Sequence, residues 1–277
     1  MRSYCSLLAS ALVVVGGVSC AGLSRTRSPL SLRVMTYNIQ AGAGNLDGTA
    51  GAIRAAAPDV VALQEVDVHW SARSHFADEA DSLAKLLGMQ ARFAHIYDLP
   101  GEGASSPARE NGVALVSRDP IVAFTNHVIT RHSTVNEDAA PATMPGFLEA
   151  TLNVRGTRVR VFNTHLDYRS DPAVRRQQVT ETLALIGNPT TPTLLFGDLN
   201  AGPDAVELQP LFQRLHDSWL TVSTGTGLTY PAIAPVKRID FVLTSPHFRA
   251  VGARVPDTQA SDHRPVVVDL VVGGAAP

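Results

Sequence analysis

Short apolar runs separated by turn-forming residues recur along this chain from Leu32 onward. Apolar or alternating runs bounded by Gly, Pro, Asn and Asp are typical of β-strands with at least one buried face. We therefore predict strands in the following segments: 32–39, 58–66, 112–118, 120–129, 147–154, 157–166, 191–200, 238–245, 247–255 and 264–272. Two segments rich in Gly, Pro and Ser or in polar residues, 99–111 and 131–145, are predicted to be loops.

Helical patterns are fewer than strand patterns. The segment 171–187 is the clearest helix, since Asp171 can cap its start, Pro172 suits a first turn and Gly187 can end it. Further helices are predicted at 48–57, 78–87 and 203–215. Strands outnumber helices and hairpins alternate with helical connections, which favours an α/β (α+β) fold of mixed β-sheets with helices packed outside them.

The first twenty residues follow a different pattern. Arg2 precedes an apolar run from Leu7 to Val15, and small residues follow it. Such a segment is typical of an export signal and is too short to span a membrane comfortably. We expect a signal peptide over 1–20, a linker over 21–31 and a single domain over 32–273.

Cys20 is the last residue of the predicted signal segment. Together with Val18 and Ser19 before it, it resembles a bacterial lipobox, whose cysteine becomes the lipidated first residue of the mature protein. Gly17 departs from that pattern, because a Leu is usual there. A lipoprotein anchored to a membrane through Cys20, a secreted protein and a cytosolic protein therefore remain as alternatives, with export favoured.

The cysteine content and the net charge limit the kinds of chemistry and of binding that we expect of this domain. Both cysteines, Cys5 and Cys20, lie in the leader, so the domain has no internal disulfide and no thiol chemistry. The formal net charge of the chain is −2. Proteins that bind nucleic acid tightly and without sequence specificity usually do so through many Lys and Arg contacts to phosphates. Binding to nucleic acid is therefore possible but not favoured, and we expect a monomer.

Polar side chains stand at or near the ends of several predicted strands. Strand ends in a sheet often rim a common cleft, so these side chains are candidates for one site. They are Asn38, Glu65, His165, Asp198, Asn200, Asp240, Asp262 and His263.

Each of these residues also has a purely structural interpretation. An Asn after a strand is often a turn residue, Asp240 could pair with Arg238, and His165 could be an ordinary hydrogen-bonded histidine. Taken together, however, the set supplies what phosphoester hydrolysis needs. Glu65, Asp262 and the Asn38 amide suit Mg²⁺ or Mn²⁺, and His263 would be supported by a buried carboxylate such as Asp240.

Seven segments in order resemble the endonuclease/exonuclease/phosphatase (DNase I-like) superfamily, in particular its bacterial exported branch. They are TYNI, QEVD, NGVALVSR, NTHLD, GDLN, RIDFVL and SDHRPV, and they span nearly all of residues 32–272. The resemblance implies a four-layer sandwich of two mixed β-sheets flanked by helices.

The same resemblance implies roles for the candidate residues. Glu65 would bind the metal with Asn38 and Asp262 near it, and Asp198 would orient or deprotonate the attacking water. Asn200 would hold the phosphate, and His263, supported by Asp240, and His165 would contact the phosphoryl oxygens and stabilise the transition state. Asn111 is a candidate for lining the cleft, although a turn before a strand is an equal alternative. Tyr97 lacks a diagnostic match, so we do not assign it to the site.

These features predict an exported, Mg²⁺-dependent phosphoric ester hydrolase that acts on a small-molecule or lipid-linked phosphate ester. Mn²⁺ is an alternative metal. A secreted metal-dependent DNA endonuclease is the first alternative, and a non-catalytic binding lipoprotein on the same fold is the second. Substrate specificity would lie in the two predicted loops.

Overall fold

The computed structural model describes Met1 and residues 30–103 and 105–273. The predicted signal peptide, Cys20 and most of the predicted linker lie outside the described residues. Leu30 and Ser31, which we predicted as the end of the linker, belong to the first strand, where they pair with Val272 and Val271. Within the described residues, no helix combines the length and the apolar character needed to span a membrane.

The first sheet contains six strands in the order β11-β12-β1-β2-β4-β3. Strands β1 and β2 are parallel, and the other neighbours are antiparallel. The strands are β1 (Leu30–Asn38), β2 (Val60–Val68), β3 (Gln90–Leu99), β4 (Arg109–Ser117), β11 (Phe248–Arg254) and β12 (Val266–Val272).

The second sheet also contains six strands, in the order β5-β6-β7-β8-β10-β9. Here β7 and β8 are the parallel pair, and the remaining neighbours are antiparallel. The strands are β5 (Ile121–Arg131), β6 (Ala142–Val154), β7 (Thr157–His165), β8 (Thr193–Asp198), β9 (His216–Asp217) and β10 (Asp240–Thr244).

Alternate residues of the strands face two different apolar layers, as the period of two in a strand requires. Val34 of β1 packs between the sheets with Leu148 and Phe196 of the second sheet. Its neighbour Met35 faces the opposite side and packs with Ile53 of a helix. The helices are α1 (Leu46–Ala56), α2 (Glu79–Leu87), α3 (Ala173–Ile186), α4 (Gln209–Arg214) and α5 (Ser218–Val222).

Helices α1 and α2 cover the outer face of the first sheet, and α3 and α4 cover that of the second. The predicted sandwich of two mixed sheets flanked by helices is therefore confirmed.

A strand of the first sheet was missed, and several predicted boundaries of strands and helices are wrong. Strand β3 was not predicted, because most of its side chains are only half-buried at the sheet edge and its apolar pattern is weak. Strand β6 begins at Ala142, inside the predicted loop 131–145. The predicted helix 203–215 is limited to α4 after a short 3₁₀ turn, and α3 begins at Ala173, whose N–H still donates to Asp171 Oδ1 at 3.0 Å.

A buried pair of amides joins the two sheets beneath the cleft. Gln64 Nε2 of β2 donates to Asn163 Oδ1 of β7 at 2.7 Å. Asn163 Nδ2 donates in turn to the carbonyl oxygens of Leu63 and Ala114. Because both side chains are fully buried, these bonds hold the polar ends of β2 and β7 in one relative position.

Candidate active site

Asp198 lies at the centre of the polar end of the sandwich. It ends β8 beside His165 of the parallel strand β7 and opposite Asp240 of the antiparallel strand β10. Its Oδ2 lies 3.5 Å from His165 Nε2 and 3.6 Å from His263 Nε2, and it accepts a hydrogen bond from Asn38 Nδ2 at 3.1 Å. The tertiary structure thus brings together side chains from four separate predicted segments.

The surroundings of Asp198 raise the pKa of its carboxyl group. Burial, together with the negative charge of Asp240, raises the pKa of the Asp198 carboxyl to about 6, although His165 and His263 oppose this rise. An aspartate with such a pKa is ionised at neutral pH yet can accept a proton readily, which suits a general base.

His263 is held by Asp240. Its Nδ1 lies 3.0 Å from Asp240 Oδ2, which also accepts a hydrogen bond from Thr229 Oγ1 at 2.5 Å. Burial alone would lower the pKa of His263, but the charge and hydrogen bond of Asp240 outweigh it and raise the pKa to about 9. The ring is therefore a cation at neutral pH, with Nε2 directed at Asp198. The alternative pairing of Asp240 with Arg238 is wrong, because Arg238 pairs with Asp217.

Glu65 stands in an unusual backbone conformation. The β2–β4 register shifts between Leu63 and Val66, and Glu65 within this bulge has a φ of 54°. Strained backbone of this kind is concentrated at functional sites, where it aims a side chain. The Glu65 carboxylate accepts a hydrogen bond from Asn38 Nδ2 at 2.9 Å.

Asp262 lies near Glu65. Burial raises the pKa of the Asp262 carboxyl, and the negative charge of Glu65 raises it further. Two carboxylates whose negative charges act on each other form a favourable site for a cation.

Asn38 faces these acids with its amide nitrogen. Nδ2 donates to both Glu65 and Asp198, while Oδ1 accepts a hydrogen bond from the N–H of Gln40 at 3.1 Å. In this arrangement Asn38 orients the two carboxylates. The prediction that its oxygen binds a metal stays a prediction.

Asn200 follows β8 with a φ of 52°, and its N–H donates to Asp198 Oδ1 at 2.9 Å. Its side-chain Nδ2 donates to the carbonyl oxygen of Leu166 at 3.0 Å. The side chain therefore ties the loop after β8 to the end of β7, and Nδ2 has one further N–H for a ligand.

Asn111 does not lie in a turn before a strand; it lies within β4 and lines a pocket that extends from Glu65 and His165. Its Nδ2 donates to Asp67 Oδ1 at 2.9 Å.

Tyr97, which we did not assign to the site, also lines this pocket. It lies on the unpredicted strand β3, and its neighbours in the sequence carried no signal that could have placed it. Arg73, another lining residue, was also missed; its guanidinium donates from Nε to Asp67 Oδ2 at 2.9 Å.

Among the residues that the structure describes, two groups of side chains could hold a divalent cation. Asp198, Asp240 and His263 offer ligand atoms within 4.8 Å of one another. Both ring nitrogens of His263 already face carboxylates, however, so a cation there would have to displace these contacts. Glu65 and Asp262 offer hard oxygen ligands at the edge of the cleft, which suit Mg²⁺ or Mn²⁺ better.

The chain belongs to the endonuclease/exonuclease/phosphatase family, whose sequence model matches residues 35–263. Members of this family generally hydrolyse phosphoester bonds and typically depend on a divalent metal. The match confirms the resemblance that the seven ordered segments indicated. A search of curated proteins found no match.

Comparison with solved structures finds the same family and the same fold. An endonuclease/exonuclease/phosphatase from Beutenbergia cavernae is 28% identical with a TM-score of 0.73, and the match covers 88% of this chain and 72% of that chain. A mannosyl-6-phosphatase from Bacteroides thetaiotaomicron is 17% identical, with a TM-score of 0.64 and coverage of 87% and 99%. The human Nocturnin catalytic domain, solved with a bound sulfate, is 20% identical, with a TM-score of 0.64 and coverage of 87% and 94%. The last two show the fold alone.

Proposed function

We propose that this protein is a Mg²⁺-dependent phosphoric ester hydrolase that acts on a small-molecule or lipid-linked phosphate ester. The observation that carries the proposal is the placement of buried Asp198 between His165, His263 and Asn38, with Asp240 behind His263. This arrangement combines a base with two imidazoles that can contact a phosphoryl group. A charged phosphate ester needs both to react with water.

Glu65 and Asp262 would hold the metal, and Asn38 would keep Glu65 and Asp198 in place through its two hydrogen bonds. With Mg²⁺ held there, positive charge would be available to the phosphoryl oxygens and to the negative charge that develops on the leaving oxygen. Mn²⁺ would fit the same oxygen ligands.

The roles of Asp198 and His263 follow from their protonation states at neutral pH. Asp198, ionised above its pKa of about 6, orients a water and accepts its proton at Oδ2. His263, a cation because Asp240 raises its pKa, donates one hydrogen bond through Nε2 to a phosphoryl oxygen. His165 contacts the same group, and the free N–H of Asn200 Nδ2 binds a phosphate oxygen.

We further propose that the protein is exported and that Cys20 carries a lipid, on the basis of the leader sequence. A test is metabolic labelling with a fatty acid in a bacterial host, comparing the natural chain with Cys20→Ala. Label on both chains, or on neither, would contradict the lipid anchor; protein retained in the cytosol would contradict export.

The function is tested by incubating purified protein with Mg²⁺ or Mn²⁺ and several phosphate esters. The substrates are p-nitrophenyl phosphate, bis-p-nitrophenyl phosphate, sphingomyelin, inositol phosphates and plasmid DNA. We expect metal-dependent release of phosphate or alcohol from small or lipid-linked esters, abolished by EDTA. Preferential nicking of plasmid, lost in His263→Ala, would support a DNA endonuclease instead. No turnover on any substrate would leave a binding protein.

A further inference from the structure

The buried face of α3 begins with two polar side chains. Arg175 and Gln178 are 6% and 1% exposed, and they share this face with the apolar Val179 and Ile186. Polar side chains in such a position need partners within the protein, because burial removes their hydrogen bonds to water. Both side chains find partners in the loop between β7 and α3, which directly follows His165. The start of the helix therefore holds this loop.

Three hydrogen bonds fix the backbone of the loop. Gln178 Oε1 accepts one from the N–H of Asp167 at 2.9 Å, and Arg175 Nη1 donates one to the carbonyl oxygen of Asp167 at 2.9 Å. Arg175 Nη1 also donates to the carbonyl oxygen of Arg169. Because both backbone polar groups of Asp167 are bonded to side chains of the helix, the loop cannot shift without leaving buried groups unpaired.

The other side of the Arg175 guanidinium faces the loop that follows β8. Its Nε and Nη2 donate to Glu207 Oε1 at 3.0 and 2.9 Å, and both side chains are buried. Glu207 lies in the 3₁₀ turn Val206–Leu208, which comes after Asn200 in that loop. A buried ion pair is a weak source of stability, since the loss of hydration offsets the attraction of the charges. The directed N–H groups of the guanidinium do fix the separation of the two loops.

A second link joins the same two loops at the cleft. The N–H of Leu166 donates to the carbonyl oxygen of Asp198 at 3.0 Å, and the Leu166 carbonyl oxygen accepts a hydrogen bond from Asn200 Nδ2 at 3.0 Å. Leu166 directly precedes Asp167, whose backbone is held by the helix. The position of the Leu166 oxygen therefore depends on the helix, and this oxygen sets the direction of the second N–H of Asn200 Nδ2.

We infer that Arg175 and Gln178 are positioning residues that act on phosphate binding through Asn200. They hold the Leu166 oxygen in place, and this oxygen directs the free N–H of Asn200 toward a phosphate oxygen. The inference rests on the proposed hydrolase function and adds to it two residues outside the seven segments that carried the family resemblance. A binding group that is misplaced by about 1 Å can lower the rate roughly a hundredfold, so remote contacts of this kind have measurable effects.

Two α3 variants test the inference, Gln178→Met and the double variant Arg175→Met with Glu207→Gln. The first keeps the size of the side chain and removes the acceptor for the Asp167 N–H. The second removes the guanidinium without leaving an unpaired buried charge. With Mg²⁺, we expect each to lower kcat/KM per folded molecule about tenfold to a hundredfold on p-nitrophenyl phosphate or bis-p-nitrophenyl phosphate, whichever the natural protein hydrolyses faster.

Ile186→Ala is the matched control, because it removes buried methyl groups at the far end of the same helix. Its kcat/KM per folded molecule should equal that of the natural protein. A loss as large as that of the α3 variants would overturn the inference, since any weakening of the helix would then have the same effect.

A double-mutant cycle with Asn200→Ala shows whether the α3 side chains act through Asn200. Groups that act as a unit give strongly non-additive effects, so each α3 variant should cost less than about threefold in the Asn200→Ala protein. An equal fold-loss in both backgrounds would overturn the inference, because the helix would then act independently of this amide.

The side-chain NH₂ signals of Asn200 in ¹⁵N-labelled protein give a readout without turnover, and their loss in Asn200→Ala assigns them. We expect these signals to shift in both α3 variants and to stay in place in Ile186→Ala. Unshifted signals in the α3 variants would overturn the inference, whatever the protein hydrolyses. Shifted signals in a protein without any metal-dependent turnover would support the link from α3 to Asn200 and contradict the hydrolase itself.

Discussion

Asp240 faces His263 with one carboxylate oxygen while its other oxygen, Oδ1, is buried with no hydrogen-bond partner among the described residues. A buried carboxylate with an unsatisfied oxygen is costly, and its main compensation here is the positive imidazole ring. Asp240 and His263 are thus linked by charge as well as by geometry, which makes the behaviour of the pair with pH testable.

We expect kcat/KM to show a bell-shaped dependence on pH. Activity should rise through about pH 6, where Asp198 loses its proton, and fall above about pH 9, where His263 loses its own. In Asp240→Asn the raising effect on the pKa of His263 is lost, so the falling limb should move to lower pH. An unchanged limb in this variant would show that another group titrates there.

The same pair predicts how stability depends on pH. The folded pKa of His263 lies above the unfolded value of about 6.5. Its stabilisation is therefore complete below pH 6.5 and is lost as pH rises through about 9. Urea unfolding from pH 6 to pH 9.5 should show this decrease in the free energy of unfolding, and His263→Gln should show a flatter profile.

Asp198 illustrates a conflict between stability and activity. Because burial and Asp240 raise its pKa to about 6, the ionised form is unfavourable in the folded state at neutral pH. We expect Asp198→Asn to raise the free energy of unfolding by about 1 to 3 kcal/mol in metal-free buffer at pH 7.5, while turnover is lost. Urea denaturation in EDTA measures the first effect; a less stable Asp198→Asn protein would contradict the argument.

Glu65→Gln should separate metal binding from folding. The amide keeps the shape of the side chain but removes the charge that attracts a cation, so turnover should fall at least about a hundredfold. Mg²⁺ should raise the melting temperature of the natural protein and have little effect on this variant. Glu102→Gln, at an exposed glutamate that pairs with Arg109, is the control and should respond to Mg²⁺ normally. An equal response in Glu65→Gln would place the metal elsewhere.

The amide pair between the sheets should contribute strongly to stability. Asn163→Ala leaves Gln64 and two backbone carbonyls without their partner in the core, which should cost about 2 to 4 kcal/mol. Asn153→Ala removes only a hydrogen bond in an exposed turn and should cost about 1 kcal/mol or less. Equilibrium denaturation of both variants compares the two effects, and equal losses would show that the amide pair has no special weight.

The fold could be predicted largely from local pattern. Strands such as β8 and β12 have buried apolar runs ended by turn residues, and α3 has its stop at Gly187, so each can be recognised without its neighbours. Strand β3 could not, because an edge strand with half-buried side chains has little apolar pattern. The short strand β9 depends on its pairing with β10 rather than on its own residues.

For the site, the sequence by itself determined which residue types were available and that they stand at strand ends. Glu65, Asp198 and His263 were identifiable in this way, since polar residues beside apolar runs need a partner or a function. Only the tertiary structure decided their relations: Asn38 joining Glu65 to Asp198, Asp240 raising the pKa of His263, and Asp67 holding Arg73 beside Tyr97. The reason is physical. The charge and the orientation of each site side chain depend on its burial and on its distances and hydrogen bonds to other residues. The folded chain sets these quantities, and a local sequence pattern does not contain them.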